Sequence, residues 1–228
     1  MNIFFLLSSF LLIIISLSIH EFAHAWAANK FGDDTAARMG RKTINPLVHI
    51  DVFGTIFVPI VLSYLGLPLF GWAKPVPVNV SRVENPSVGL PLISAAGPLS
   101  NMFQMALGCL LWFICNQIIK IPEYGIGYYL YPLLGQYITI NFTLAFFNLI
   151  PIPPLDGASV ITLLMPDEMA ARYENTMARM GSFPLVILLF LNFSGFGVFR
   201  FWFGLWAPLG NLMLHAFSIP IDLRNLFY

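Results

Sequence analysis

The chain has 228 residues, 58 % of them hydrophobic and only 10 % charged, with a mean hydropathy of +0.78 and no net charge. Soluble domains carry near 25 % charged residues, so this composition excludes an ordinary soluble fold and describes a membrane protein of several spans with short loops. The balanced charge gives no electrostatic basis for binding nucleic acid. Two cysteines, Cys109 and Cys115, are too few for a disulfide framework or zinc ribbon and read as small packing residues.

The first element is an uncharged run from Ile3 to Ile19, long enough to cross a bilayer. The apolar pattern continues without a break through His20-Glu21-Phe22-Ala23-His24 to Ala28. Ionisable groups at that depth are costly and call for a function. On a helix, residues four apart share a face one turn apart, so His20 and His24 can direct two imidazole nitrogens at one Zn²⁺. Glu21 lies one position along and can take a proton from water as a general base. Ala23-His24-Ala25 has the outline of a signal-peptide cleavage site, but no Lys or Arg precedes the apolar run and a cut there would fall in the metal motif.

Lys30, Arg38, Arg41 and Lys42 follow this helix. By the positive-inside rule they place its end in the cytoplasm and the N-terminus outside, with His24 about 8 Å short of the cytoplasmic end. Residues 52–70 are apolar but interrupted by Gly54, Pro59, Gly66 and Pro68, and read as a re-entrant segment. Pro75-Val76-Pro77-Val78-Asn79-Val80 alternates like an extended edge strand, a site where an unwound peptide could add. A long helix follows from about Ser87 to Ile119, with a small-residue patch at Ser94, Ala95, Ala96, Gly97 and Ser100 that permits close backbone approach.

The next apolar run, 133–150, meets Pro151, Pro153 and Pro154, which cannot continue a helix, and resumes after Asp156-Gly157. This predicts a membrane helix broken at Pro151–Pro154, which is tolerated only inside protein or along a cavity. Apolar stretches at 183–199 and 201–217 complete the pattern. The expectation is an all-α polytopic protein with about five to six transmembrane helices, one of them broken, plus a re-entrant segment and a short strand-like element. It divides into a membrane core over 1–165, an amphipathic cytoplasmic connector over 166–180 and a C-terminal transmembrane hairpin over 181–228.

A catalytic zinc site needs a third protein ligand, and His49, His215 and the carboxylates are the candidates. Of the six aspartates only Asp156 falls within a membrane segment, where the helix break can turn it inward. Its alternative role is to cap the helix that begins at Gly157. His49 sits in a loop and His215 near an expected interface.

Three elements carry a resemblance to a known family: His20-Glu21-Phe22-Ala23-His24, Ala96-Gly97-Pro98-Leu99-Ser100-Asn101, and Asn148-Leu149-Ile150-Pro151 leading into Leu155-Asp156-Gly157. In order and spacing the chain resembles the site-2 protease family of intramembrane zinc metalloproteases, over roughly residues 5–165. The stretch Gly71 to Asn79 looks like the compact prokaryotic branch that lacks a PDZ domain. The resemblance implies one zinc per chain held by His20, His24 and Asp156, with Glu21 as the catalytic acid/base and Asn148 polarising the scissile carbonyl or holding its oxyanion. A buried amide can serve that last role in a dry site, although Asn148 could instead bond carbonyls freed by the prolines. The implied partners are transmembrane protein substrates and the lipid bilayer, in a prokaryotic plasma membrane. Two alternatives from other classes are a metal-ion transporter and an inactive binding scaffold. A transporter has no need of a glutamate beside the first histidine, and every residue type needed for catalysis is present. Other membrane zincins, such as prenyl-protein proteases, share the first motif but not the Asn148 to Gly157 element.

Overall fold

The computed structural model describes residues 3–64 and 72–224. Helix α1 (Ile3–Lys30) runs unbroken because no Gly or Pro interrupts it. Three of its four serines bond within the helix: the hydroxyls of Ser8 and Ser9 donate to Phe5 O, and that of Ser18 to Ile14 O. The buried residues of α1 are Ser16, Ser18, His20, Glu21, His24, Ala25, Ala27 and Ala28, so its second half presents small and polar side chains to the protein. After α2 (Thr35–Arg38) come a 3-10 turn (Pro46–Val48), a π turn (Val52–Phe57) and α3 (Val58–Tyr64). Helix α4 (Pro86–Phe113) extends through a π turn to Ile118, and α5 spans Gly127–Asn148. The chain is irregular until α6 (Gly157–Val160), and α7 (Asp167–Met180), α8 (Phe183–Leu191) and α9 (Val198–Ala216) follow.

Helices α1, α4 and α5 pack against one another as the centre of the molecule. Gly108 of α4 lets α5 close in, because a Cβ there would run into Ile138. The apolar core joins Met105, Cys109 and Trp112 of α4 to Ile138, Phe142 and Phe146 of α5 and to Phe203, Ala207 and Leu214 of α9. Cys109 is buried in this core, and both cysteines are free thiols.

Two sequence expectations are corrected here. Among the described residues only two helices, Ile3–Lys30 and Pro86–Ile118, are long and apolar enough to cross a membrane, not five to six. A third exists only if α7 and the Phe183–Phe196 stretch, bent by 77° at their junction, count as one span. The reason lies in polar groups set inside apolar runs. Helix α5 carries Tyr128, Tyr129, Tyr131, Gln136, Tyr137 and Asn141, and α9 carries Arg200, Asn211 and His215. The stretch over 183–199 is cut at Gly195 and Gly197, whose φ values of 89° and 63° break the helix.

The strand-like element is also absent: no β-strand occurs among the described residues. Residues 75–79 are extended, but a strand needs a neighbour for its N–H groups, and here side-chain carboxylates take them. Val76 N donates to Glu21 Oε2 at 2.9 Å and Asn79 N to Asp33 Oδ2 at 2.6 Å, while Pro75 and Pro77 have no N–H to offer. As for the segment expected to re-enter, residues 65–71 lie outside the described residues. Its ends meet, since Trp72 N donates to Gly54 O and Thr55 Oγ1 donates to Trp72 O.

Asp33 shows how firmly the extended stretch is tied to the end of α1. Burial pushes its carboxyl up, but hydrogen bonds from the Thr35 hydroxyl, Asn79 N and Thr35 N, with Arg82 nearby, outweigh that and hold it below the usual aspartate range. A depressed carboxylate adds stability above its unfolded value of about 3.9 and loses it as pH falls through the folded value. The gap in melting temperature between wild type and Asp33→Asn should therefore narrow as pH drops from about 6 to about 3. A gap that is constant or widens over that range rules out the Asp33 carboxylate as a tie.

Candidate metal centre

The helical spacing of His20 and His24 brings their rings edge to face, with centroids 4.6 Å apart and planes at 82°. Their Nε2 atoms are 3.0 Å apart. Each ring is fixed from behind through Nδ1, His24 by Ile93 O at 2.8 Å and His20 by Asn101 Oδ1 at 2.6 Å. A main-chain oxygen only accepts, so His24 carries a hydrogen on Nδ1, which in the neutral ring leaves the Nε2 lone pair for a metal. Both partners come from α4, which can approach because position 97 is glycine. A Cβ on Gly97 would strike His24 Nε2 and the His20 ring.

Asp156 arrives from the broken segment. The chain leaves helix at Asn148 and doubles back so tightly that a Cβ on Gly157 would collide with Leu149 O. Asp156 is the residue before α6, yet its side chain does not cap that helix. Its Oδ2 is instead 3.2 Å from His20 Nε2 and 3.4 Å from His24 Nε2. That oxygen is buried without a hydrogen-bond partner, which is costly unless a cation neutralises it. Two imidazole nitrogens and one carboxylate oxygen, all within 4.8 Å of one another, are a donor set that fits a divalent metal ion.

Glu21 lies beside this cluster, nearly buried, with Oε2 held by Val76 N–H. The other candidates are elsewhere. His49 is buried in its loop with Nε2 against Thr43 O, and His215 is exposed on α9. Asn148 ends α5, and its side-chain amide donates to Leu144 O at 3.0 Å, one turn back on its own helix. Two groups behind the histidines, Asn101 and Ile93 O, were not assigned a role from sequence. Asn101 did leave a signal, as an amide in an apolar helix one turn after Gly97 on the same face. A main-chain carbonyl leaves none.

A membrane helix carrying two buried histidines and a glutamate, completed by an aspartate from a broken helix, defines the class of intramembrane metallopeptidases. Comparison with known proteins agrees. Residues 115–189 match the sequence profile of Peptidase family M50. The chain is 35 % identical over 192 residues to "Putative zinc metalloprotease YwhC" of Bacillus subtilis (strain 168), covering 83 % of this chain and 82 % of that protein. It is 31 % identical over 182 residues to "Putative zinc metalloprotease Rip2" of Mycobacterium tuberculosis (strain ATCC 25618 / H37Rv), covering 78 % of this chain but only 63 % of that longer protein. The Rip2 of Mycolicibacterium smegmatis is 28 % identical over 181 residues. No solved structure matches the chain. The chain belongs to peptidase family M50, the site-2 protease family, in its bacterial zinc metalloprotease branch. Its activity is that of an intramembrane zinc metalloprotease.

The close approach at Gly97 is open to test. Gly97→Val would push the His20 and His24 rings off their common focus. Divalent-metal affinity, measured by chelator competition on detergent-purified protein, should fall by about 10-fold or more, the scale of disturbing a ligand's support. Wild-type affinity in that variant would show that the rings are not set by α4.

Proposed function

We propose that His20, His24 and Asp156 hold one Zn²⁺ per chain, and that Glu21 acts as general base and then general acid in hydrolysis of peptide bonds in membrane-embedded segments. The observation that carries this reading is the convergence of three metal donors beside one further carboxylate, on a helix apolar enough to span a bilayer. Three protein ligands leave a position open, as catalytic zinc sites do. When bound, zinc supplies Lewis acidity, which acidifies water and polarises a carbonyl oxygen.

The protein's own groups do the rest. Glu21 takes the proton from water and returns it to the leaving amine. Val76 N–H occupies one of its oxygens and leaves the other for this transfer. Asn148 is proposed to donate to the oxyanion that develops on the scissile carbonyl through the second of its two amide hydrogens, the first being held by Leu144 O. A substrate helix hides its carbonyls in its own hydrogen bonds, so it must unwind locally before it can be cut. Lys30 at the end of α1, with Arg38, Arg41 and Lys42 beyond it, supports a cytoplasmic position for the motif end of that helix, with the N-terminus outside.

Purified protein should contain about one zinc per chain, and His20→Ala, His24→Ala and Asp156→Ala should each lower that content. Glu21→Gln should keep zinc and fold but cut slower by ~10²-fold or more on a single-span membrane substrate, because an amide cannot accept the proton. Undiminished cleavage by Glu21→Gln would sink the mechanism, and zinc flux into liposomes without peptidase activity would favour a transporter.

Asn148→Ala separates two roles for that amide. As an oxyanion donor its loss should lower kcat by ~10²-fold while zinc content and melting temperature hold. If the bond to Leu144 O is its main task, stability and zinc should fall instead. Normal turnover in a less stable protein removes Asn148 from the catalytic set.

A further inference from the structure

A chain of buried side chains runs from α5 through α4 to His20, and its direction can be worked out from one end. Tyr137 O is a main-chain carbonyl and can only accept, so it is the Nδ2 of Asn141 that faces it, at 2.9 Å. The same Nδ2 donates to Ser16 Oγ at 3.0 Å. Asn141 must then turn its Oδ1 the other way, and Asn101 Nδ2 donates to it at 2.9 Å. This leaves Asn101 Oδ1 facing His20 Nδ1 at 2.6 Å. An oxygen there requires the hydrogen on Nδ1, and the Nε2 lone pair is thereby directed at His24 and Asp156.

The opposite flip of Asn101 would place its NH₂ against Nδ1 and force the ring hydrogen onto Nε2. That hydrogen would point into the metal donors and block ligation. Ser16, Asn101 and Asn141 are all 0 % exposed, so no solvent competes for these bonds. We propose that Asn101 is a positioning residue that selects the metal-binding tautomer of His20, with Asn141 fixing which way its amide faces. The proposal rests on the reading of His20 as a zinc ligand.

The test uses the full chain loaded with zinc. Asn101→Leu removes the acceptor at similar volume, and zinc affinity by chelator competition should weaken by ~10- to 100-fold, the usual effect of losing such a partner. Asn101→Asp keeps an acceptor on Nδ1 but buries a carboxylate against Asn141 Oδ1. It should melt at lower temperature while holding zinc nearly as tightly as wild type. A merely structural asparagine would show the reverse, with affinity following stability in both variants. Nitrogen NMR of the zinc-loaded wild type, labelled at histidine, gives a readout independent of variant folding, and should place zinc on Nε2 of His20 and hydrogen on Nδ1. Wild-type affinity in Asn101→Leu, equal weakening in both variants, or zinc on His20 Nδ1 would each overturn the proposal. A His20→Ala variant that binds zinc as tightly as wild type would instead overturn the ligand reading, and the proposal with it.

Discussion

Two imidazoles inside an apolar helix bundle can each point one nitrogen at a metal only if the hydrogen on the other nitrogen finds an acceptor. Burying it unpaired would cost about 1–3 kcal/mol by the standards of protein interiors. This requirement dictates what α4 must present to α1. Ile93, Gly97 and Asn101 follow at intervals of four and therefore line one face. The first supplies a carbonyl to His24, the second supplies empty space and the third supplies an amide to His20. Pro98, which has no N–H to give, leaves the Ser94 carbonyl, one position on from Ile93, without its i+4 donor. The demand propagates to α5, because an amide turned to His20 needs its own partner, and Asn141 is that partner. The polar content that keeps α5 from being an unambiguous membrane span is in part the cost of holding one histidine ring.

A second constraint concerns the extended stretch after Trp72. It is anchored at four points: Lys74 N to His49 O, Pro75 O to the Arg41 guanidinium, Val76 N to Glu21 and Asn79 N to Asp33. Two of these anchors are carboxylates, on α1 and just beyond its end. Carboxylates accept more strongly than carbonyls do. They can therefore organise an extended backbone without a second strand. The arrangement ties the orientation of Glu21 to the same loop that the Arg41 guanidinium holds through Pro75 O.

How far the sequence was readable follows from how local each signal is. The pair His20 and His24 with Glu21 between was legible because helical spacing alone puts them together. Asp156 was legible because the prolines around it announce a break and no other aspartate lies in a membrane segment. The partner of Asn101 was not, because Asn141 is forty residues away and nothing in either segment points to the other. The count of spans was too high for a related reason. An apolar run containing Tyr131, Asn141 or Asn211 looks lipid-compatible along the chain, whereas in space these groups are used inside the protein. Tyr131 Oη donates to Ile121 O, and Asn211 bonds Asp222 and Leu223 N. The strand over 75–80 was misread because alternation reports an extended backbone and says nothing about who accepts its N–H groups.

The broken helix that delivers Asp156 poses the hardest physical problem, since every carbonyl released at Pro151–Pro154 would be expensive in an apolar setting. The structure answers it piece by piece. Phe147 O takes Ile150 N, Ile150 O takes Ile152 N, Ile152 O takes Leu155 N, and Asp156 O takes the N–H groups of Ser159 and Val160. Where the local chain has no donor, distant side chains supply one. Tyr173 Oη of α7 donates to Pro151 O, and Trp202 Nε1 of α9 donates to Phe146 O. Each is a bond of about 1 kcal/mol net, and more where the alternative is an unpaired group away from water. Helices α7 and α9 contribute none of the candidate metal donors, yet through these two bonds they hold the leading half of the turn that places Asp156 opposite the histidines. The C-terminal part of the chain is thus part of the candidate metal site's support, and that cluster is a property of the whole bundle and not of α1 alone.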